Sequence, residues 1–106
     1  MTDKIIVHTT CSSPEEAEKI ARKLVEERLA ACVASTPAVR SIYRWQGAIE
    51  DAQEVALVIK TRRGLFAQVE AAIRSMHSYT TPEIIAVSVV EGSADYLDWM
   101  DRELKA

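Results

Sequence analysis

Two stretches of this chain concentrate side chains capable of chemistry. Met76 to Ile84 reads MHSYTTPEI and sets a thioether, an imidazole and a phenol ahead of a proline. Cys11, in TTCSSP, adds a thiol far upstream. A thiol and an imidazole can act as nucleophile and base when a third group orients the base. Nothing else in the chain completes such a machine. There is no GxGxxG, P-loop, HExxH or GxSxG, and no loop that would form an oxyanion hole. The expectation is a binding protein, not an enzyme. A second set of groups is spread along extended segments. Tyr43 and Trp45 are two residues apart, and Glu54 and Lys60 are six apart, so each pair shares one face of its strand.

The elements that must position these groups follow from periodicity. Lys4 to Thr10 is β-branched and reads as a strand. Ser13-Pro14-Glu15-Glu16 is a helix start: Ser13 caps, Pro14 suits the first helical position, and Glu16 completes a capping box. Ala17, Ile20, Ala21, Leu24 and Val25 then recur on one helical face. Ala31 to Thr36 is a strand of small residues, where Cys32 reads as a buried apolar residue. Pro37 interrupts it, at a bulge or on an edge. Ser41 to Trp45 resumes the strand, Gln46-Gly47 turns, and Ile49 to Thr61 alternates as a long strand. His8 takes an ordinary strand position.

Arg63-Gly64 breaks the long strand, and Phe66, Val69, Ile73 and Met76 mark a second amphipathic helix. Pro82 forbids that helix from continuing. Glu83 to Val90 reads as a buried strand, and Asp95 to Leu104 as a terminal helix with Leu97, Met100 and Leu104 on one side. The order β-α-β-β-α-β-α over a single domain, residues 1–106, points to an α+β ferredoxin-like βαββαβ sandwich. It carries an antiparallel sheet and an extra C-terminal helix. One face of such a sheet has no cover in this chain. An exposed apolar sheet face and a long hairpin are liabilities unless paired, which predicts a homo-oligomer.

Composition narrows the classes further. The chain has 106 residues, a net charge of −3 and 27% charged residues, with lysines and arginines scattered among carboxylates. That disfavours nucleic acid as a partner. No apolar run approaches the ~20 residues that span a bilayer, and MTDKIIVHTT lacks the pattern of a secretory signal. No membrane partner is expected. Two cysteines without CxxC spacing fit reduced thiols in the cytoplasm.

Five segments in register resemble the CutA divalent-cation-tolerance family: ERLAACV (Glu27 to Val33), YRWQG (Tyr43 to Gly47), Glu54 with Lys60, HSYTTPEI (His77 to Ile84) and YLDW (Tyr96 to Trp99). The resemblance covers nearly the whole chain. It implies a ferredoxin-like homotrimer, an architecture similar to the PII signalling proteins, and copper or other divalent-metal binding in metal tolerance. In bacterial members described as copper-binding, the ligands are a cysteine three residues before the helix-opening proline and two adjacent histidines. Cys11 and His77 match that pattern. Met76 stands at the first histidine and Ser78 at the proline after the pair, and both are departures. Thiolate, thioether and imidazole suit Cu(I), so Met76 remains a candidate ligand. Against this, a helix-terminal histidine also serves the last carbonyls, and Met76 continues an apolar stripe.

Two other families with this sandwich fit less well. Copper chaperones need a second cysteine after TTC, and acylphosphatases need an arginine-bearing phosphate loop there; the chain has neither. If His77 and Tyr79 come over the hairpin from a neighbouring subunit, Tyr43, Trp45, Glu54, Lys60, Tyr79 and Glu83 outline an inter-subunit cleft with aromatic walls. That is the general form of a small-molecule site, and equally of interface packing. Metal binding and a PII-like module for a small effector or partner protein are thus the two competing expectations.

Overall fold

The β-α-β-β-α-β-α order read from the sequence is the order the chain adopts. The computed structural model, which describes residues 2–106, runs β1 (Lys4–Cys11), α1 (Pro14–Glu26), β2 (Cys32–Trp45), β3 (Ala48–Arg62), α2 (Phe66–Met76), β4 (Ile85–Ser88) and α3 (Ala94–Glu103). A short 3-10 turn at Arg63–Leu65 leads into α2. The four strands form one antiparallel sheet in the order β2-β3-β1-β4. This is the ferredoxin-like α+β arrangement, with α3 added at the end.

Alternation along the strands decides which side is the core. Ile5, Val7, Thr9 and Cys11 of β1 lie opposite Thr61, Ile59, Leu57 and Val55 of β3, and all eight are buried. Ala17, Ile20 and Leu24 of α1 and Val69 and Ile73 of α2 close over them. Full burial of an Ile, Leu or Val is worth about 1.5–3 kcal/mol relative to exposure, so this layer fixes both helices to the sheet. Val25 lies beyond the stripe and is exposed.

The intervening residues face the other way, and most of that face is open. Ile6 pairs with Val87 and His8 with Ile85, and these two β4 residues are 48% and 55% exposed. Other segments approach this face at its two ends. At one end α3 reaches in: Tyr96 meets Lys60, and Asp101 pairs with the buried Lys4 at 2.8 Å. At the other end lies the segment after α2.

Three differences from the expected elements have physical causes. β4 spans four residues rather than Glu83 to Val90, and it is exposed rather than buried. It is the sheet edge and pairs only with β1, so an apolar composition does not by itself bury it. Cys32 is half-buried rather than core, because it lies opposite Lys60 on the open face. β2 continues through Pro37, whose missing N–H is accommodated by a register shift between Thr36 and Val39, with Ala38 at φ 64°. The β2–β3 hairpin then closes on Gln46 and Gly47, at φ 49° and 83°. Two successive left-handed residues make the tight turn that matches strand twist.

Candidate functional site

Chain direction brings the two chemical stretches together. β3 is antiparallel to β1, and α2, which follows β3, runs back so that it ends beside the end of β1. Cys11 is the last residue of β1, and His77 immediately follows α2. They converge within one chain. Glu16, in the first turn of α1, joins them: Sγ of Cys11, a carboxylate oxygen of Glu16 and a ring nitrogen of His77 lie within 4.8 Å of one another.

Each of the three is held by specific partners. The Nδ1 of His77 accepts from the Tyr79 N–H at 3.1 Å. Its Nε2 lies 2.7 Å from the Thr10 carbonyl oxygen, which can only accept, so Nε2 carries the proton. The two bonds select the neutral Nε2–H tautomer. Glu16 accepts from the Ser12 N–H at 3.1 Å with one oxygen and from the Ser78 N–H at 2.8 Å with the other. The capping box is therefore half as expected. Ser13 Oγ accepts from the Glu16 N–H, but the Glu16 carboxylate turns to Ser12 and to the segment after α2. Burial pushes Glu16 upward, but its bonds to Ser78 and Ser12 outweigh this and hold it below the ordinary carboxylate value.

Cys11 is fully buried. Burial first, then the charges of Glu16 and Glu54, push its thiol up to about 12. It is a neutral thiol at ordinary pH, and so a poor nucleophile. Met76, the last residue of α2, packs half-buried against the hydrophobic core. The donor types at Cys11, Glu16 and His77 suit a borderline ion such as Cu(II) or Zn(II), with the thiol favouring softer ions. Binding there requires Cys11 to lose its proton and His77 to give up one hydrogen bond. On donor chemistry and proximity, the residues fit a metal.

Tyr79 carries the chain from this cluster round to the open side of the sheet. Its phenol donates to Glu54 at 2.6 Å, a short bond of the charge-assisted kind. Burial first, then this bond and the Glu54 charge, push the phenol above its ordinary value. Its ring also lies 4.8 Å from that of His77. Beyond Tyr79 opens a cleft of about 670 Å³ with Tyr43, Trp45, Glu54, Tyr79 and Glu83 among its lining residues. The bulge in β2 sets this up, since it puts Val39 opposite Glu54 and thereby Tyr43 and Trp45 on Glu54's side.

Tyr79 thus reaches Glu54 of β3 within its own chain, and His77 packs against the Tyr79 ring. Lys60 lies apart from the cleft. It shares Glu54's face but is six residues along β3, about 20 Å away, with its Nζ 3.4 Å from the Tyr96 hydroxyl and 5.5 Å from that ring's centre. Glu16 was missed as a site residue, because a carboxylate at the third helical position already had a capping role. Its position five residues after Cys11, across a helix start, was the available signal.

The chain is similar to known proteins over nearly its whole length. Residues 5–103 match the family model described as CutA1 divalent ion tolerance protein. The divalent-cation tolerance protein CutA of Thermus thermophilus is 46% identical over 95 residues, 90% of this chain and 92% of that one. The crystal structure of CutA from Xylella fastidiosa superposes with a TM-score of 0.95 at 42% identity, covering 98% of this chain and all of that one. A protein from Archaeoglobus fulgidus, described as a periplasmic divalent cation tolerance protein CutA, gives 0.93 at 43% identity, covering 96% and 99%.

Proposed function

The chain belongs to the CutA1 divalent ion tolerance protein family, and we propose that it acts in metal tolerance by holding copper, or a divalent ion of similar preference, at Cys11, Glu16 and His77. The observation that carries this is the convergence of a sulfur, an oxygen and a nitrogen donor within 4.8 Å. Cys11, Glu16 and His77 would hold the ion, whose positive charge would favour the Cys11 thiolate against the burial and the two carboxylates that keep the thiol neutral. His77 would offer Nδ1 in place of its bond to the Tyr79 N–H, with Nε2–H held by the Thr10 carbonyl. Metal-binding imidazoles use that kind of outer support. Met76, adjacent in sequence, is the candidate extra sulfur ligand for Cu(I).

Assembly and compartment belong to the same proposal. A homotrimer would cover the open face around Ile85 and Val87 and steady the exposed hairpin. Light scattering of a folded 11.8 kDa species would overturn that part. Cys11 and Cys32 lie on opposite sides of the sheet and do not pair, and a chain without a disulfide suits the cytoplasm. The chain binds rather than catalyses.

The test is a Cu(I) and Cu(II) titration against a chelator of known affinity, on the unchanged protein and on Cys11→Ser, Glu16→Gln, His77→Ala and Met76→Leu. Tight binding lost in the cysteine and histidine variants supports the site, and Met76→Leu then decides the fourth ligand. Weak binding indifferent to all four changes overturns it. A second function class is favoured by a separate observation, the cleft of about 670 Å³ beyond Tyr79. It has the size and the mix of aromatic and polar walls of an effector site, as a PII-like regulatory module would need.

A further inference from the structure

The oxygen donor of the Cys11–Glu16–His77 cluster does not owe its place to its own helix. Glu16 is the third residue of α1, where a capping-box carboxylate would reach back to the Ser13 N–H. It turns instead to the segment after α2. Its Oε2 accepts the Ser78 N–H at 2.8 Å, and its Oε1 accepts the Ser12 N–H at 3.1 Å. The hydroxyls extend this clasp, since Ser12 Oγ lies 3.3 Å from Oε1 and 3.3 Å from Ser78 Oγ. An ionised carboxylate only accepts, so Ser12 donates to Glu16 and Ser78 donates to Ser12.

The carboxylate is thereby both fixed and available. It has about four acceptor positions. Ser12 uses two on Oε1 and Ser78 uses one on Oε2, which leaves one open on Oε2 among the described residues. A loose glutamate gives up rotamer freedom when it ligates an ion, and this one has already given it up. Moreover, the N–H that aims it belongs to the residue directly after His77. One short segment therefore carries the nitrogen donor and places the oxygen donor. Sulfur and imidazole alone suit soft Cu(I), whereas a carboxylate is a hard anionic donor that adds to ions such as Zn(II) and Co(II).

We propose that Ser78 is a positioning residue that tunes the ion preference of this site. Its backbone N–H holds the Glu16 carboxylate in place as the oxygen donor, and so tilts the site toward divalent ions of the zinc or cobalt kind and away from Cu(I). This rests on the metal-binding function given above and names the residue that sets its preference. Every bond in the clasp lies within one chain, between α1 and the segment after α2.

The test is Ser78→Pro, which deletes the N–H. His77, at φ −83° and ψ 141°, already has the extended geometry that a following proline requires. Ser78→Ala keeps the N–H and is the conservative counterpart. Zn(II), Co(II) and Cu(I) are titrated into the assembled protein under reducing, oxygen-free conditions against chelators of known affinity, and the Co(II) spectrum is recorded. Ser78→Pro should weaken Zn(II) and Co(II) at least about tenfold, the usual loss when the outer support of a ligand is removed. Cu(I) should change by less than about threefold, because sulfur and nitrogen hold it. The ligand-field bands of Co(II) should shift while its thiolate charge-transfer band stays, which a general loss of stability would not produce. Ser78→Ala should keep both the preference and the spectrum. Glu16→Gln, which spares the backbone, should reproduce the pattern of the proline variant.

Equal weakening of all three ions by Ser78→Pro overturns the proposal, as does an equal loss of Zn(II) in Ser78→Ala. Zn(II) binding that needs Cys11 and His77 but ignores Ser78→Pro keeps the metal site and refutes the role of Ser78. Ions bound as before in Cys11→Ser and His77→Ala refute the metal function itself, and the proposal falls with it.

Discussion

Two polar clusters sit at the same end of the sheet, on opposite sides of it, and they spend their groups differently. On the helix side, Glu16 accepts two backbone N–H groups, both ring nitrogens of His77 are engaged, and Cys11 is sealed from water. On the open side, Glu54 has a phenol and, among the described residues, no cation, and two aromatic rings are partly exposed. The first cluster clamps the start of α1 to the segment after α2. The second joins a carboxylate on β3 to a phenol after α2. Saturated hydrogen bonds contribute stability, whereas an open aromatic wall leaves apolar surface in water.

The sharpest way to break this contrast is alkaline titration of the metal-free protein. The Cys11 thiol is raised from 9.0 to about 12 in the fold. Above pH 9 the unfolded chain therefore loses a proton that the native chain keeps, so stability is complete below 9 and falls as pH rises toward 12. The slope is about 1.4 kcal/mol per pH unit, on the order of 4 kcal/mol over the window. Urea midpoints at pH 9 and 10 should show it, and Cys11→Ala should flatten it in that interval. An unchanged slope would mean that the thiol is not sealed.

Next in size is Glu16→Ala, expected to cost about 2 kcal/mol in urea unfolding, because it strips the acceptor from Ser12 and Ser78. Glu16 is held below its ordinary value, so its stabilisation is present above pH 4.5 and disappears as pH falls through the folded value. The variant should lose that acid limb. Tyr79→Phe should cost about 1 kcal/mol, since it deletes the bond to Glu54 while the backbone bond to His77 stays. An equal loss in metal binding from that variant would blur the division between the clusters. Smallest, Gln46→Asn should stabilise by roughly 0.5 kcal/mol, because asparagine tolerates the left-handed turn position better. Neither cluster should notice.

Much of the fold was legible because local rules and burial agreed. The Ser13-Pro14 start, the apolar stripe of α1 and the Gln46-Gly47 turn each had a mechanism in the sequence, and each formed. β4 misled because apolar content predicts burial only when something covers the strand, and an edge position is a property of topology. Cys32 misled for a related reason: strand period tells which residues share a face, not which face the helices take. At the site, Cys11 and His77 were recognisable as types, but their meeting depended on β1 and α2 running in the same direction. Glu16 escaped notice because its carboxylate had a local role that the fold redirected. The bulge at Pro37 was foreseen, but its effect on Tyr43 and Trp45 required the register.

Tyr79 gives the two clusters a shared account of free energy. Its N–H holds His77 in one tautomer and its hydroxyl holds Glu54, with one side chain between them. One bond is made by its backbone and the other by its side chain, so the two clusters meet in a single residue. Any occupant of one side that moves Tyr79 must therefore alter the affinity of the other, and reciprocity makes the two effects equal in size. A sensor needs that property: the chemistry of one face read out as the occupancy of the opposite one.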